Sequence, residues 1–153
     1  MSVSGTVGGV HHLASVVPDA EKAALLQETA LGWQRLSDET YTKAKAELLG
    51  SVLGATGTTR FRTVMLQSTS ERPGARVEFI DLDTHGGPGH VVLPGLHVAS
   101  YRVRDAPESW AELLRAGAEP VRTLVDFEVA GWPMRVGTVR VEGNCLLEII
   151  EFR

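Results

Sequence analysis

The 153-residue chain is 43% hydrophobic and 22% charged, with a formal net charge of −4. A chain of that length buries a core without staples, and its acidic balance argues against nucleic-acid or anionic-membrane partners, which ask for a basic face. One cysteine (Cys145), no apolar run near the roughly 20 residues that span a bilayer, and no basic, apolar start over residues 1–9 together predict a reduced, cytoplasmic protein.

The first element is a β-prone run, Gly9-Val10-His11-His12-Leu13-Ala14-Ser15-Val16-Val17-Pro18, that ends at Asp19. Asp19 is placed to cap a helical pattern opening at Ala20, and Gly32 stops it. Residues 33–36 predict a short strand. Residues 37–53 hold Tyr41, Ala44, Leu48, Leu49 and Val52 at helical spacing behind Asp38 and Glu39, which predicts an extra helix. That helix reads either as a cover whose apolar stripe packs on the core or, since it falls in a loop, as a lid. Strands are predicted at 60–67 and 75–82, with a turn at Pro73-Gly74 between them. Residues 83–94 are a glycine- and proline-rich connector whose His85 and His90 read as solvent-exposed.

The pattern then repeats. Gly95-Leu96-His97-Val98-Ala99-Ser100-Tyr101-Arg102-Val103-Arg104-Asp105 starts 86 positions after Gly9 (95 − 9) and again ends at a capping aspartate. Pro107 just inside and Gly117 just after punctuate the second helix. Strands are predicted at 120–125, at 134–141 and, past the turn Glu142-Gly143-Asn144, at 145–152. Each half reads β-α-β-β-β, at about 9–84 and 93–153, and Val77-Glu78-Phe79-Ile80 matches Leu147-Glu148-Ile149-Ile150. Neither half buries both faces of its sheet alone. The expectation is one α+β domain over 1–153: two βαβββ modules in a cup-shaped mixed sheet, with one extra helix inserted in the first.

The order and spacing of His11-His12-Leu13-Ala14, Val77-Glu78-Phe79-Ile80, Gly95-Leu96-His97-Val98-Ala99 and Gly143-Asn144-Cys145-Leu146-Leu147-Glu148 resemble the vicinal-oxygen-chelate superfamily. Glyoxalase I, methylmalonyl-CoA epimerase, extradiol dioxygenases and bleomycin- or fosfomycin-resistance proteins belong to it. The resemblance runs from Val10 to Phe152. It implies a small-molecule site in the cup, a homodimer, and a divalent metal ion (Zn, Ni, Co, Mn or Fe) held by His12, Glu78, a residue at 97 or 98, and Glu148.

Strand periodicity supports three of these positions separately. Alternate residues share a face, so Glu78 lies beside Ile80, and Glu148 beside Leu146 and Ile150. A carboxylate on an apolar strand face requires a cation or hydrogen-bond partner, and two carboxylates with an imidazole make an N/O donor set. The fourth position has two registers. The ungapped repeat sets Val98, which cannot ligate, opposite His12, whereas a one-residue bulge near Ser100 brings His97 into place. His97 is taken as the ligand. His11 reads as structural, Cys145 as packed, and Arg102, on the face of Val98 and Ser100, as an anion binder or a surface residue.

Three functions follow. The first is a metal-dependent isomerase, epimerase or lyase, in which an enolate-like intermediate forms and Glu78 or Glu148 shuttles the proton. The resemblance disfavours methylmalonyl-CoA epimerase itself, because residues 57–61 before the third strand carry no acid. The second is an iron-dependent dioxygenase with two histidines and one glutamate, which again needs His97. The third is a metal-free binding protein or biosynthetic cyclase for a bulky, partly apolar ligand, with Trp33, Trp132 and Tyr101 available to the cup.

Overall fold

Among the described residues eight strands form one sheet in the order β2-β3-β4-β1-β6-β9-β8-β7, and a two-residue strand, β5, pairs with β4. The computed structural model describes residues 7–69, 75–85, 87–88, 97–142 and 145–153. The first half consists of β1 (Val7–Val16), α1 (Ala20–Leu31), β2 (Gln34–Thr42), α2 (Lys43–Val52), β3 (Thr58–Gln67), β4 (Arg76–Thr84) and β5 (Gly87–Pro88). The second comprises β6 (His97–Val103), α3 (Ala106–Arg115), β7 (Glu119–Val129), β8 (Trp132–Glu142) and β9 (Cys145–Phe152). In each half the first strand runs parallel to the last, β1 with β4 and β6 with β9. The halves meet where β1 and β6 pair antiparallel. This is the expected α+β cup of two βαβββ modules. The expected turn at Pro73-Gly74, His90, Gly95-Leu96 and Gly143-Asn144 lie outside the described residues.

The helix punctuation acts as the sequence predicts. Asp19 accepts a hydrogen bond from the Lys22 amide at 2.9 Å, and Asp105 one from the Glu108 amide at 2.8 Å. A second pair of carboxylates fastens each helix to its own module. Asp81 on β4 accepts from the Ala20 amide at 2.8 Å, and Glu151 on β9 accepts from the Ala106 amide at 2.8 Å. Both lie three residues past the cavity acids Glu78 and Glu148, on the opposite strand face. One strand therefore carries an inward acid and an outward one.

The outer face holds α1 and α3. Val64 and Leu66 pack on Ala20 and Ala24 of α1, and Ile149 and Val103 pack around Ala106 with Trp110 and Leu113 of α3. Gly137 of β8 allows the close approach of α3, since a Cβ there would lie 2.9 Å from the Trp110 ring. The inner face is apolar at one end, where Ala14, Ile80, Val98 and Leu146 pack together with Leu49 and Leu53.

The inserted element departs from expectation. Residues 37–42 extend β2 rather than opening a helix, and α2 begins at Lys43, where φ is 56°. Pairing with β3 outweighs the apolar spacing. Asp38 stands beside Arg62, and the β-prone Thr40-Tyr41-Thr42 run sits opposite Phe61 and its neighbours. The shortened helix buries Ala46, Leu49, Gly50 and Val52 and touches both halves, with Leu49 against the first and Val52 against Val136 and Ile150. It plugs one end of the cup. The β7–β8 hairpin is also longer than its pattern implies, because Ala130 and Gly131 (φ 50° and 81°) form a tight two-residue connection without the usual asparagine signal. Among the described residues no helix is long and apolar enough to cross a membrane.

Candidate active site

The concave face encloses a cavity of about 770 Å³ that receives side chains from both halves. Its lining is mainly apolar, with Tyr41, Phe61, Phe127, Trp132 and Phe152 as the aromatics. Of the three aromatics expected there, only Trp132 lines it. Trp33 packs under α1 with Val64 and Leu66, and Tyr101 sits on the other strand face, opposite Ile149. Polar groups gather at the middle of this wall, on the central strands β4, β1, β6 and β9.

Three of the four predicted site residues meet there. His12 Nε2 lies 2.9 Å from Glu78 Oε2, and Thr63 on β3 donates its hydroxyl to the other oxygen of Glu78. On the opposite side Ser100 Oγ lies 3.1 Å from His12 Nε2 and donates to Glu148 Oε1 at 2.7 Å. His12 thus stands between the two acids, in direct contact with one and joined to the other through a hydroxyl.

His97 does not join them. Its Nδ1 lies 3.3 Å from Ser15 Oγ, and it lines a separate surface groove with Leu13 and Cys145 on the convex side. The antiparallel register explains the correction: His12 pairs with Ser100, Ala14 with Val98 and Ser15 with His97. His97 is therefore an odd number of residues from the cavity face of β6. Ser100 takes the fourth place. Its signal was present in the sequence as a small polar residue on the face of Val98 and Arg102, but only the pairing with β1 singles it out.

The irregularity expected in β6 occurs in β1 instead. Register shifts between Val7 and Val10 and between Val10 and His12 let two consecutive histidines reach the same cavity. His11 thereby joins the site, against its structural reading. Its Nδ1 lies 2.8 Å from His12 Nδ1, and its Nε2 lies 3.3 Å from Arg76 Nη1. Arginine only donates. With Arg76 donating, His11 accepts at Nε2 and donates at Nδ1, and neutral His12 carries its proton on Nε2, aimed at Glu78. Cys145, expected to pack, is exposed.

The electrostatics separate the two acids. Burial would raise the Glu78 pKa, but the hydrogen bond and charge of His12, with the Thr63 hydroxyl, hold it below the usual glutamate value. Burial raises Glu148, and the His12 charge and the Ser100 hydroxyl offset this only in part, while the charge of Glu78 adds to it. Burial also opposes charging of His12, yet its bond to Glu78 and the charges of both acids raise its pKa. His11 is lowered to about 4 by burial, then by the charges of His12, Arg76 and Arg102. The arrangement is one acid whose charged form is favoured, one whose neutral form is favoured, and the His12 imidazole between them.

A divalent ion asks for three or four converging donors. Among the described residues no three His, Cys, Asp or Glu side chains converge to hold one. The fourth place holds a neutral hydroxyl that already donates to Glu148, and Glu78 engages His12 Nε2 directly. As arranged, these residues do not fit a resident divalent ion.

Comparison with solved structures places the architecture. A methylmalonyl-CoA epimerase superposes with a TM-score of 0.65 at 16% identity, over 98% of this chain and 99% of that one. The methylmalonyl-CoA epimerase of Mycobacterium tuberculosis gives 0.67 at 16% identity, over 99% and 92%. A glyoxalase/bleomycin resistance protein/dioxygenase superfamily member from Vibrio splendidus 12B01 gives 0.55 at 11% identity, over 93% and 97%. The chain has the vicinal-oxygen-chelate fold. No family model matches the sequence, and no curated protein matches it either. The vicinal-oxygen-chelate cup therefore supplies the scaffold here, and the chemistry follows from this chain's own side chains.

Proposed function

We propose that this vicinal-oxygen-chelate protein is an enzyme that moves a proton on a carbon next to a carbonyl, as isomerases, epimerases and some lyases do. The carrying observation is the opposite tuning of Glu78 and Glu148 on either side of His12 in one apolar cavity. Glu78, ionised, accepts the proton from the carbon. The electron pair of the broken C–H bond moves into the carbonyl, and the developing enolate oxygen takes a hydrogen bond from the free oxygen of protonated Glu148. The Ser100 hydroxyl occupies the other Glu148 oxygen and so turns the acidic O–H toward the cavity. Collapse of the enolate returns a proton to carbon and restores both acids. His12 steadies Glu78 and is itself held by the neutral ring of His11.

The test is deuterium incorporation, followed by NMR in D2O, into apolar carbonyl compounds with an acidic α-hydrogen. Elemental analysis of the same preparation supplies the control. Exchange by metal-stripped protein that is lost in Glu78→Gln supports the reading. Absence of exchange across the panel, or exchange strictly proportional to a bound divalent ion, overturns it.

A second reading, a binding protein for a bulky ligand, is favoured by the aromatic lining of the cavity. It expects tight binding with no exchange. The two-histidine, one-glutamate arrangement of an iron dioxygenase is not assembled from His97, which faces away.

A further inference from the structure

We infer that Arg76 and Arg102 form an anion-binding subsite at the mouth of the cavity, and that the substrate is a carbonyl compound carrying a carboxylate on an otherwise apolar body. This rests on the proton-transfer reading for the identity of the reacting carbon, but the subsite stands on its own geometry.

Both residues line the cavity. Arg76 lies two residues before Glu78 on β4, and Arg102 two residues after Ser100 on β6, so both share the cavity face with the acid–base cluster. Two strand residues span roughly 6.6 Å, which sets the arginines one repeat nearer the opening. Between them stand two rings. Arg76 Nη1 is 3.3 Å from His11 Nε2, the His11 and Phe152 ring centroids are 5.5 Å apart, and the Arg102 guanidinium lies 5.3 Å from the Phe152 centroid. The row is Arg76, His11, Phe152, Arg102.

These two arginines combine a place in the cavity lining with neutral partners; Arg104 and Arg122 also lack a carboxylate partner among the described residues but do not line the cavity. Arg35, Arg60, Arg62, Arg115, Arg135 and Arg153 each face a carboxylate. Among the described residues Arg76 bonds only the Gln67 amide oxygen and His11, both neutral partners, and Arg102 meets only the face of Phe152. In a chain of net charge −4, the cavity mouth carries two guanidinium groups that form no ion pair among the described residues. Low-dielectric walls concentrate their field on whatever enters. A guanidinium fork matches a planar carboxylate. The apolar lining beyond would take the substrate's body, and a carboxylate held at the mouth would orient it so that its carbonyl end points to Glu78 and Glu148.

The probes are 4-oxo-5-phenylpentanoate and 1-phenylbutan-2-one, the same benzyl ketone with and without the carboxylate. Affinity is measured by titration calorimetry, and exchange by NMR in D2O. The carboxylate-bearing ketone is expected to bind at least about tenfold more tightly, the worth of one charge-assisted hydrogen bond. In Arg76→Met and Arg102→Met that preference falls toward unity, and rising salt weakens it in the wild type. Equal affinity for the two ketones, including no binding of either, overturns the subsite. So does a preference that survives both substitutions. Should a substituted protein fail to fold, the wild-type comparison and its salt dependence still decide. The two readings fail separately: a carboxylate preference without any deuterium exchange overturns proton transfer and leaves the subsite, whereas exchange without preference does the reverse.

Discussion

Glu78 and Glu148 hold equivalent places on β4 and β9, yet their surroundings push their pKa values in opposite directions. The difference lies in what touches them. Glu78 meets the imidazole of His12 directly, and Glu148 meets it only through the Ser100 hydroxyl.

Deuterium exchange measured against pH is expected to be bell-shaped. Activity rises as Glu78 loses its proton, at a pH below the ordinary glutamate value of 4.5, and falls as Glu148 loses its own above that value. Glu78→Gln lowers the rate by about a hundredfold to ten-thousandfold, the range for loss of a general base. Glu148→Gln lowers the plateau and removes the alkaline limb. An alkaline limb that persists in Glu148→Gln would assign it to another group.

Stability should move against activity at Glu148. Its folded pKa is raised, so the acid contributes most while protonated, below the unfolded value of 4.5, and that contribution is lost as pH rises through the folded pKa. Glu148→Gln keeps an acceptor for Ser100 and removes the cost of a desolvated charge. Urea unfolding near neutrality is expected to show the variant more stable by about 1 kcal/mol, with no gain well below the glutamate value.

The His12–Glu78 pair has the reverse dependence on its acidic side. The depressed Glu78 pKa contributes stability above 4.5 that is lost as pH falls through its folded value. The raised His12 pKa contributes stability below 6.5 that is lost as pH rises through its folded value. NMR titration of the His12 ring should show its pKa fall in Glu78→Gln; an unchanged titration contradicts the pairing.

His97→Ala tests the corrected register. This residue lies outside the cluster, and its replacement should leave exchange within about twofold, as is usual for a substitution away from the reacting groups. Ser100→Ala, by contrast, removes the hydroxyl between His12 and Glu148, and exchange should fall about tenfold or more.

Gly50→Ala inverts the usual rule for helices. Alanine in a helix interior is normally favoured over glycine by about 1 kcal/mol. At this position the new Cβ would lie 1.9 Å from Thr58 Oγ1 and 2.6 Å from Thr58 Cβ, so α2 must shift away from β3. Thermal unfolding is expected to show a loss of about 1–3 kcal/mol, the range for overpacking.

Much of the scaffold was legible because duplication is written twice in the chain. The capping aspartates, the stopping glycines and the matched strands around Glu78 and Glu148 each carry a local reason, and each half supports the reading of the other. His12, Glu78 and Glu148 were named by the family resemblance, and strand period supported the two acids. The rest depended on which strand pairs with which. Nothing local to His11-His12 says that β1 bulges there, and nothing in His97-Val98-Ala99-Ser100 says which residue meets His12 across the sheet. Residues 37–42 misled for a related reason: their apolar spacing is helical, but an edge of β3 was waiting to be paired.

The outward carboxylates Asp81 and Glu151 bear on how such a cup changes over time. Each rivets its strand to a helix three residues beyond a cavity acid, which fixes the height of Glu78 and Glu148 on their strands. Retuning either acid then needs no movement of the frame. Replacing one neighbouring alcohol, Thr63 for one acid or Ser100 for the other, alters its proton affinity in place. A frame riveted in this way leaves new reactivities within reach of single substitutions.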